Sequence, residues 1–389
     1  MRNLSTRLVL SAWMISGFVF GQAHQAGPAG WKGQIVVENG IRTVKNPDQP
    51  LSGELAFELE EDLAIGGDPE KEDYYFPKGT SGLAVDEEGK LFISDWTNAR
   101  VQMYDKNGKF IRTIGRKGQG PGEFRSPGRL QFDRSGRLCV FDYPAIQVFD
   151  QAGRFVEKIF SRAVNDPFLL SSGAVYWREF IGGKPGAFME AVSKKEPDET
   201  AALTIARFRG EFKEGQTYFV HHVYTSRASL TPIDDSSFAY GFSADYRFFV
   251  ADASGQTVLI VEKEEAPVKI TAAEKDWIRK QDSFLAYGSG PHTDLRKEMI
   301  FPDHRPYFQK LLADDQGRIY ALKIKPVLET DSSVRADVFS RAGICSYRLT
   351  IPVQAYLIKA GYLYEVREDK EAGEFRIVRH RIRNWDQLK

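Results

Sequence analysis

The fold turns on Gly82-Leu-Ala-Val-Asp86-Glu-Glu-Gly89-Lys-Leu91-Phe92-Ile-Ser-Asp95. An Asp that bonds backbone amides starts a turn, and a Gly three residues later supplies positive φ, so Asp86-x-x-Gly89 joins two strands of a hairpin. The same signature returns as Gly136-Arg-Leu138-Cys139, Gly173-Ala-Val175-Tyr176, Gly317-Arg-Ile319-Tyr320 and Gly361-Tyr-Leu363-Tyr364. A degraded sixth copy is Ser236-Ser237-Phe238-Ala239, and the Asp recurs at Asp133 and Asp314.

A second repeat follows the better copies: Val101-Gln-Met-Tyr-Asp105-Lys-Asn-Gly108 and Ile146-Gln-Val-Phe-Asp150-Gln-Ala-Gly153, with weaker echoes ending at Gly255 and Gly343. Each unit is therefore two hairpins, and four short strands recurring about every 45 residues are the mark of a β-propeller. The sequence predicts an all-β, six-bladed propeller of four-stranded antiparallel blades. Thr271-Ala-Ala-Glu274 is a capping box that opens a short helix, so residues 263–306 read as an insertion between blades four and five. Blade three carries a second irregular insertion around Gly182 to Glu199. The last unit is one strand short, and Glu54-Leu-Ala-Phe-Glu-Leu-Glu60 alternates apolar and acidic residues. Pairing that segment with the C-terminal strands would close the ring and remove two open edges.

The 389 residues thus divide into a signal peptide at 1–23, an extension at 24–50 and one propeller at 51–389. Arg2 and Arg7 precede the apolar run Leu8 to Phe20 and a Gly21-Gln-Ala23 exit, the pattern of a cleaved secretory signal. The protein is expected outside the cytoplasm, secreted or periplasmic. No Cys follows the run to take a lipid anchor, and no later stretch is long enough to span a membrane. Lys plus Arg and Asp plus Glu are 53 each, so bulk charge gives no reason to expect nucleic acid. Bases concentrate between Lys109 and Arg137 and acids between Glu54 and Asp73, which reads as solvated loops and self-complementary faces. Cys139 and Cys345 are too few for a disulfide scaffold and read as two buried free thiols.

Pro77-Lys-Gly79, Gly82 to Asp86, Gly89 to Asp95 and Asn98-Ala-Arg100-Val-Gln102 resemble an NHL repeat, as does the link Ile114 to Phe124. Blade two departs from it, with Tyr143-Pro144-Ala145 in place of the Asn and Arg. The whole layout, including Val36 to Gly40, Val44 to Pro47 and Asn384-Trp385, resembles exported bacterial six-bladed propellers grouped as NHL-like or TolB-like. That resemblance implies fold and compartment, and little chemistry. Some NHL propellers bind RNA through a basic face, but an exported protein rarely meets RNA.

In a propeller the turns between second and third strands share one face at the mouth of the central channel. Six and seven residues past the turn glycines stand Asp95 and Trp96, Asp142 and Tyr143, and Glu179 and Phe180 on blades one to three. Lys323 and Arg367 stand on the blades opposite. Such a face suits a peptide, a partner protein or a glycan stacked on the aromatics. Asp95 and Asp142 have a competing role, favoured for both, as braces of their own turns. The expectation is a monomeric binding module. The alternative is a metal-dependent enzyme of the lactonase or lyase kind, supported by fold analogy alone. His221 and His222 are adjacent and would face opposite sides of a strand, while His292 and His304 lack a close second ligand. No cofactor is predicted. Calcium at the axis stays open, because its ligands would come from different blades and leave no linear motif. Gly115 to Gly122 is glycine-rich but lacks the ending of a phosphate loop.

Overall fold

The computed structural model describes residues 23–388 except 162, 164, 182–188, 210–218, 282–284, 288–298 and 370–372; of 23, 219–221 and 285–287 only the backbone is described. Most of the signal peptide therefore lies outside the described residues, as do His292 and the side chain of His221.

Six sheets make six blades, at 82–114, 130–160, 165–209, 228–263, 310–351 and 357–382. Within blade one, Gly82–Val85, Leu91–Asp95, Arg100–Tyr104 and Phe110–Ile114 pair antiparallel in chain order, and blades two to four repeat that order. Side chains alternate between the two faces of each strand, so Leu91 and Ile93 enter the core shared with blade six while Phe92 enters the core shared with blade two. Every neighbouring pair of blades is joined in this way, with one apolar core at each interface around the ring.

The predicted turns form as expected. The Asp86, Asp133 and Asp314 carboxylates each accept two backbone N–H bonds at 2.8–3.0 Å, and Gly89, Gly136 and Gly317 have φ of 83, 71 and 77°. Glycines of the second turns serve a different end. A Cβ on Gly108 would lie 2.6 Å from Leu63, and one on Gly343 would lie 2.9 Å from Val261. Each of these turns therefore seats on the outer strand of the preceding blade.

Closure differs from the expectation in detail. Leu59–Gly66 is the strand that completes blade six, antiparallel to Glu374–Ile382. Glu54–Ala56 instead lies parallel on the outer strand of blade five, and buried Phe57 pins the crossing between blades. Asn384 clasps the junction: its Oδ1 accepts the Glu58 N–H at 3.0 Å and its Nδ2 donates to the Ala56 carbonyl at 2.8 Å.

The extension is structured too. Gln34–Glu38 and Ile41–Asn46 form a hairpin about Asn39-Gly40, both at positive φ, and join blade four in parallel through Thr257–Lys263. In blade three, Met189–Lys195 is a regular third strand, so the irregular insertion expected up to Glu199 is confined to fewer residues. The helix Ala272–Lys280 carries the predicted capping box. It packs with Tyr224, Ile270 and Met299 as a small separate core above blades four and five. Both cysteines are buried free thiols, and burial pushes each up to about 12. No helix among the described residues is long and apolar enough to cross a membrane.

Candidate functional site

The structure separates the sequence-derived candidates into braces and exposed groups. Asp95 is fully buried. It accepts the Asn98 backbone N–H at 3.1 Å, the Asn98 side-chain amide at 2.8 Å and the Arg100 Nε–H at 2.9 Å. That set explains the Asn98-Ala-Arg100 motif: Ala99 sits at φ 55°, and the carboxylate holds the turn that puts it there. Asp95 is therefore no mouth contact, for it is fully buried and both its oxygens are bonded within its own turn and strand. Blade two lacks the Asn and Arg, and Asp142 turns to the incoming link. It accepts N–H bonds from Arg125 at 3.0 Å and Ser126 at 2.7 Å.

Their aromatic neighbours are different. Trp96 is 37% exposed, Tyr143 56%, Phe160 67% and Phe180 37%, all on the same face of blades one to three. Lys78 stands 5.8 Å from the Trp96 ring, Lys158 5.7 Å from Phe160 and Arg178 5.8 Å from Phe180. A cleft of about 50 Å³ lies between Tyr143, Pro144 and Phe160, edged by Gln119, Arg125 and Lys158. Sequence reasoning missed Phe160, which closes the outer strand of blade two opposite Ala145.

Glu179 and Phe180 lie within a strand that runs on to Ile181, and Glu179 accepts the Ser193 hydroxyl. Arg367 also lies inside a strand, paired with Glu365 at 2.8 Å and Glu61 at 3.0 Å. Lys323 faces inward. It meets Glu265 at 2.6 Å, Asp337 at 3.1 Å and the Tyr246 ring at 4.0 Å. Lys263, its side chain wholly buried, reaches the same Asp337 carboxylate at 3.6 Å. Burial alone would raise the Asp337 carboxyl, but Lys323, Lys263 and the Tyr246 hydroxyl hold it below the ordinary carboxylate value. The expected acid-plus-aromatic face opposed by basic blades is thus reduced to its aromatics.

A further set of groups lies at the axis. Seven residues before the turn glycines of blades one, two, three and five stand Gly82, Arg129, Asp166 and Lys310, with Ser229 seven before the degraded Ser236. Gly82, Ser229 and Lys310 occupy matching pairing positions, opposite Ser94, Gly241 and Leu322. Asp166 stands at a bulge with φ 51°. Blade six contributes Tyr356, whose ring lies 5.8 Å from Lys310 Nζ and whose hydroxyl donates to the Ser81 carbonyl at 3.3 Å. Arg129 and Lys310 come from blades two and five, across the ring from each other, yet each feels Asp166 and Lys310 feels Arg129. Lys310 is open to water but enclosed by the wall, and that enclosure pushes its ammonium down, with Arg129 adding repulsion. Burial pushes the Arg129 guanidinium down as well. Counting seven back from the glycines would have found these residues in the sequence except Tyr356, which stands five before Gly361.

The other end of the channel opens on a cavity of about 260 Å³ lined by Gln131, Arg134, Ser171, Pro232, Asp234 and Asp235. Its charges are already paired, Asp235 with Arg134 and Asp234 with Arg341. The glycine-rich link curls around Glu123, whose carboxylate accepts the Gln119 and Gly120 N–H groups at 3.1 and 3.0 Å. Those amides hold the protein's own carboxylate. His222 is buried, bonds the Ile300 carbonyl at 2.7 Å and stacks on Phe301 at 4.4 Å. Among the described residues no group of three or more His, Cys, Asp or Glu comes together as a metal site would require.

Residues 81–179 match a family described as a 6-bladed beta-propeller. Over 91 residues the chain is 31% identical to Protein brain tumor of Drosophila melanogaster; that stretch is 22% of this chain and 9% of that protein's length. Among solved structures, a Bacteroides fragilis protein described as exported is similar at 14% identity and a TM-score of 0.47, covering 88% of this chain and 99% of its own. A member of the duf4221 family from Bacteroides vulgatus is similar at 11% and 0.47, covering 83% and 97%. Regucalcin from Agrobacterium tumefaciens, a calcium-binding protein, is similar at 11% and 0.40, covering 85% and 97%.

Proposed function

We propose that this six-bladed propeller is a non-enzymatic binding module, exported and monomeric, that holds a peptide, a partner protein or a glycan on its aromatic face. The observation that carries the reading is the row Trp96, Tyr143, Phe160 and Phe180 on adjacent blades, three of them with a cation over the ring. Large aromatics left in water cost solvation and are repaid when a partner covers them. The enzyme alternative asks for inward carboxylates and amides around a metal, whereas the described axial side chains are chiefly Arg129, Lys310, Asp166 and Tyr356. That donor set favours holding an anion over holding calcium.

The test compares the wild type with Trp96→Ala, Tyr143→Ala and Phe160→Ala combined, on arrays of peptides and of oligosaccharides. Retained melting temperature with lost binding is the expected result. Unchanged array binding would overturn the reading.

A further inference from the structure

The cleft of blade two offers hydrogens to a ligand and almost nothing to receive them. Asp142, the only carboxylate in its wall, is spent on the Arg125 and Ser126 N–H groups. The Gln119 side-chain oxygen accepts from Arg125 Nη2 at 2.7 Å, and the Gln119 carbonyl accepts from Lys158 Nζ at 3.3 Å. The Pro144 carbonyl accepts the Ser161 N–H at 2.9 Å. What remains is a set of donors: the rest of the Arg125 guanidinium, the other ammonium hydrogens of Lys158 and the Gln119 amide. The Tyr143 hydroxyl joins them, since among the described residues it bonds to nothing.

Such a wall calls for a ligand rich in acceptors and negatively charged. Size narrows the choice. A cleft of about 50 Å³ takes a carboxylate but not a whole sugar ring. A ring carrying that carboxylate has to lie outside, where the exposed faces of Tyr143 and Phe160 can stack on it. Spacing narrows it further. Lys158 Nζ lies 5.7 Å from the centre of the Phe160 ring, which suits a charge one bond away from the stacked ring, as in a uronic acid. In a nucleotide the phosphate stands a whole sugar away from the base. A peptide fits less well, because its backbone N–H groups would meet donors. Blade one repeats the arrangement: Lys78, in no ion pair among the described residues, stands 5.8 Å from the exposed Trp96 ring. Blade three does not, because Arg178 is spent on Asp166 and Glu190.

We propose that the aromatic face binds an acidic polysaccharide built of uronate units. One sugar stacks on Tyr143 and Phe160 with its carboxylate held by Lys158 and Arg125, and another lies on Trp96 beside Lys78. This rests on the binding-module reading and gives it a ligand class.

The probes are fluorescent octasaccharides of galacturonate, mannuronate and glucuronate, each as free acid and as methyl ester, beside an oligothymidylate and an array of peptides. Sugar and nucleotide binding is read by anisotropy at low and high salt, with a melting curve taken without ligand. The expected result is binding of at least one free acid, about tenfold weaker for its ester and weakened by salt. Phe160→Ala lowers it by a similar factor with an unchanged melting temperature, since that ring is 67% exposed. Lys158→Met with Arg125→Gln does the same; should that variant melt lower, the ratio of acid to ester decides, because it needs no substitution. Equal binding of acid and ester overturns the carboxylate contact and leaves a neutral glycan on the rings. Oligothymidylate bound as tightly as the acids, or acid binding unchanged in Phe160→Ala, overturns the uronate in favour of any polyanion. Peptide binding lost in Tyr143→Ala, with no sugar bound, overturns the uronate and leaves the module reading standing. Binding of nothing overturns both together.

Discussion

Lys263 and Lys323, in the cleft between blades four and five, face Asp337 and the Tyr246 hydroxyl; Lys310, at the axis, stands 5.8 Å from the Tyr356 ring. The cleft lysines sit inside protein, whereas Lys310 is exposed. In the cleft a shared carboxylate cancels the repulsion, and burial then strengthens the attraction. At the axis Lys310 meets water, and the Asp166 carboxylate offsets part of the repulsion from Arg129. The difference teaches how to read a lysine in this ring: one that faces a carboxylate inside protein holds two blades together, and one that faces water does not.

Removing the cleft partner tests that contrast. Asp337→Asn leaves Lys263 and Lys323 beside a neutral amide, and the expected loss is about 3 kcal/mol in urea unfolding at neutral pH. A loss under about 1 kcal/mol would mean that Glu265 and Asp48, also near Lys263, carry the pair. Asp95→Ala is the next largest. It leaves Arg100 with Glu72 alone and opens the turn at Ala99, for a loss of about 2 kcal/mol. Asp142→Ala breaks only bonds to amides of a link and should cost about 1 kcal/mol. Equal losses in the two would contradict the contrast between the turns.

The cleft also sets an acid limit. The Asp337 carboxyl lies below its unfolded value of about 3.9, so its contribution is complete above that pH and is lost as pH falls through the folded value. Lys263, Lys323, Arg348, Tyr246, Glu265 and Cys345 surround it. Stability of the wild type should therefore drop more steeply on acidification than that of Asp337→Asn; parallel curves would remove Asp337 from the acid response. The smallest effect is expected at the axis. Lys310→Met relieves repulsion in a water-reached channel, so stability should rise by about 0.5 kcal/mol at low salt and by less at high salt. A clear decrease would give Lys310 a partner after all.

The blades were legible because each rests on a local device, an Asp that bonds its own turn and a Gly that only positive φ admits. The axial ring was harder to read because its members belong to strands about 40 residues or more apart and share no motif. Tyr356 apart, they share only a distance from the turn glycine, and the bulge at Asp166 disturbs even that pairing. Counting forward from the same glycines reached Asp95 and Asp142, whose partners lie within or next to their own blade. Lys323 was legible as a charge but not as a partner of Asp337, since the pair needs the third strand of blade five beside its second. The hairpin at Asn39-Gly40 carried a strong turn signal, but only the closed ring shows that blade four had an edge for it to cover.

The clasp at Asn384 has a consequence in time. Its amide ties the chain at Glu58, 326 positions earlier in the sequence. A ribosome delivers Leu59–Gly66 long before Glu374–Ile382, so the strand that closes the last blade is made first and must wait for its neighbour. Until then the growing arc carries an open β edge at each end, where another copy can dock. Folding of this ring is thus a race between the arrival of its own last strand and capture by a stranger's.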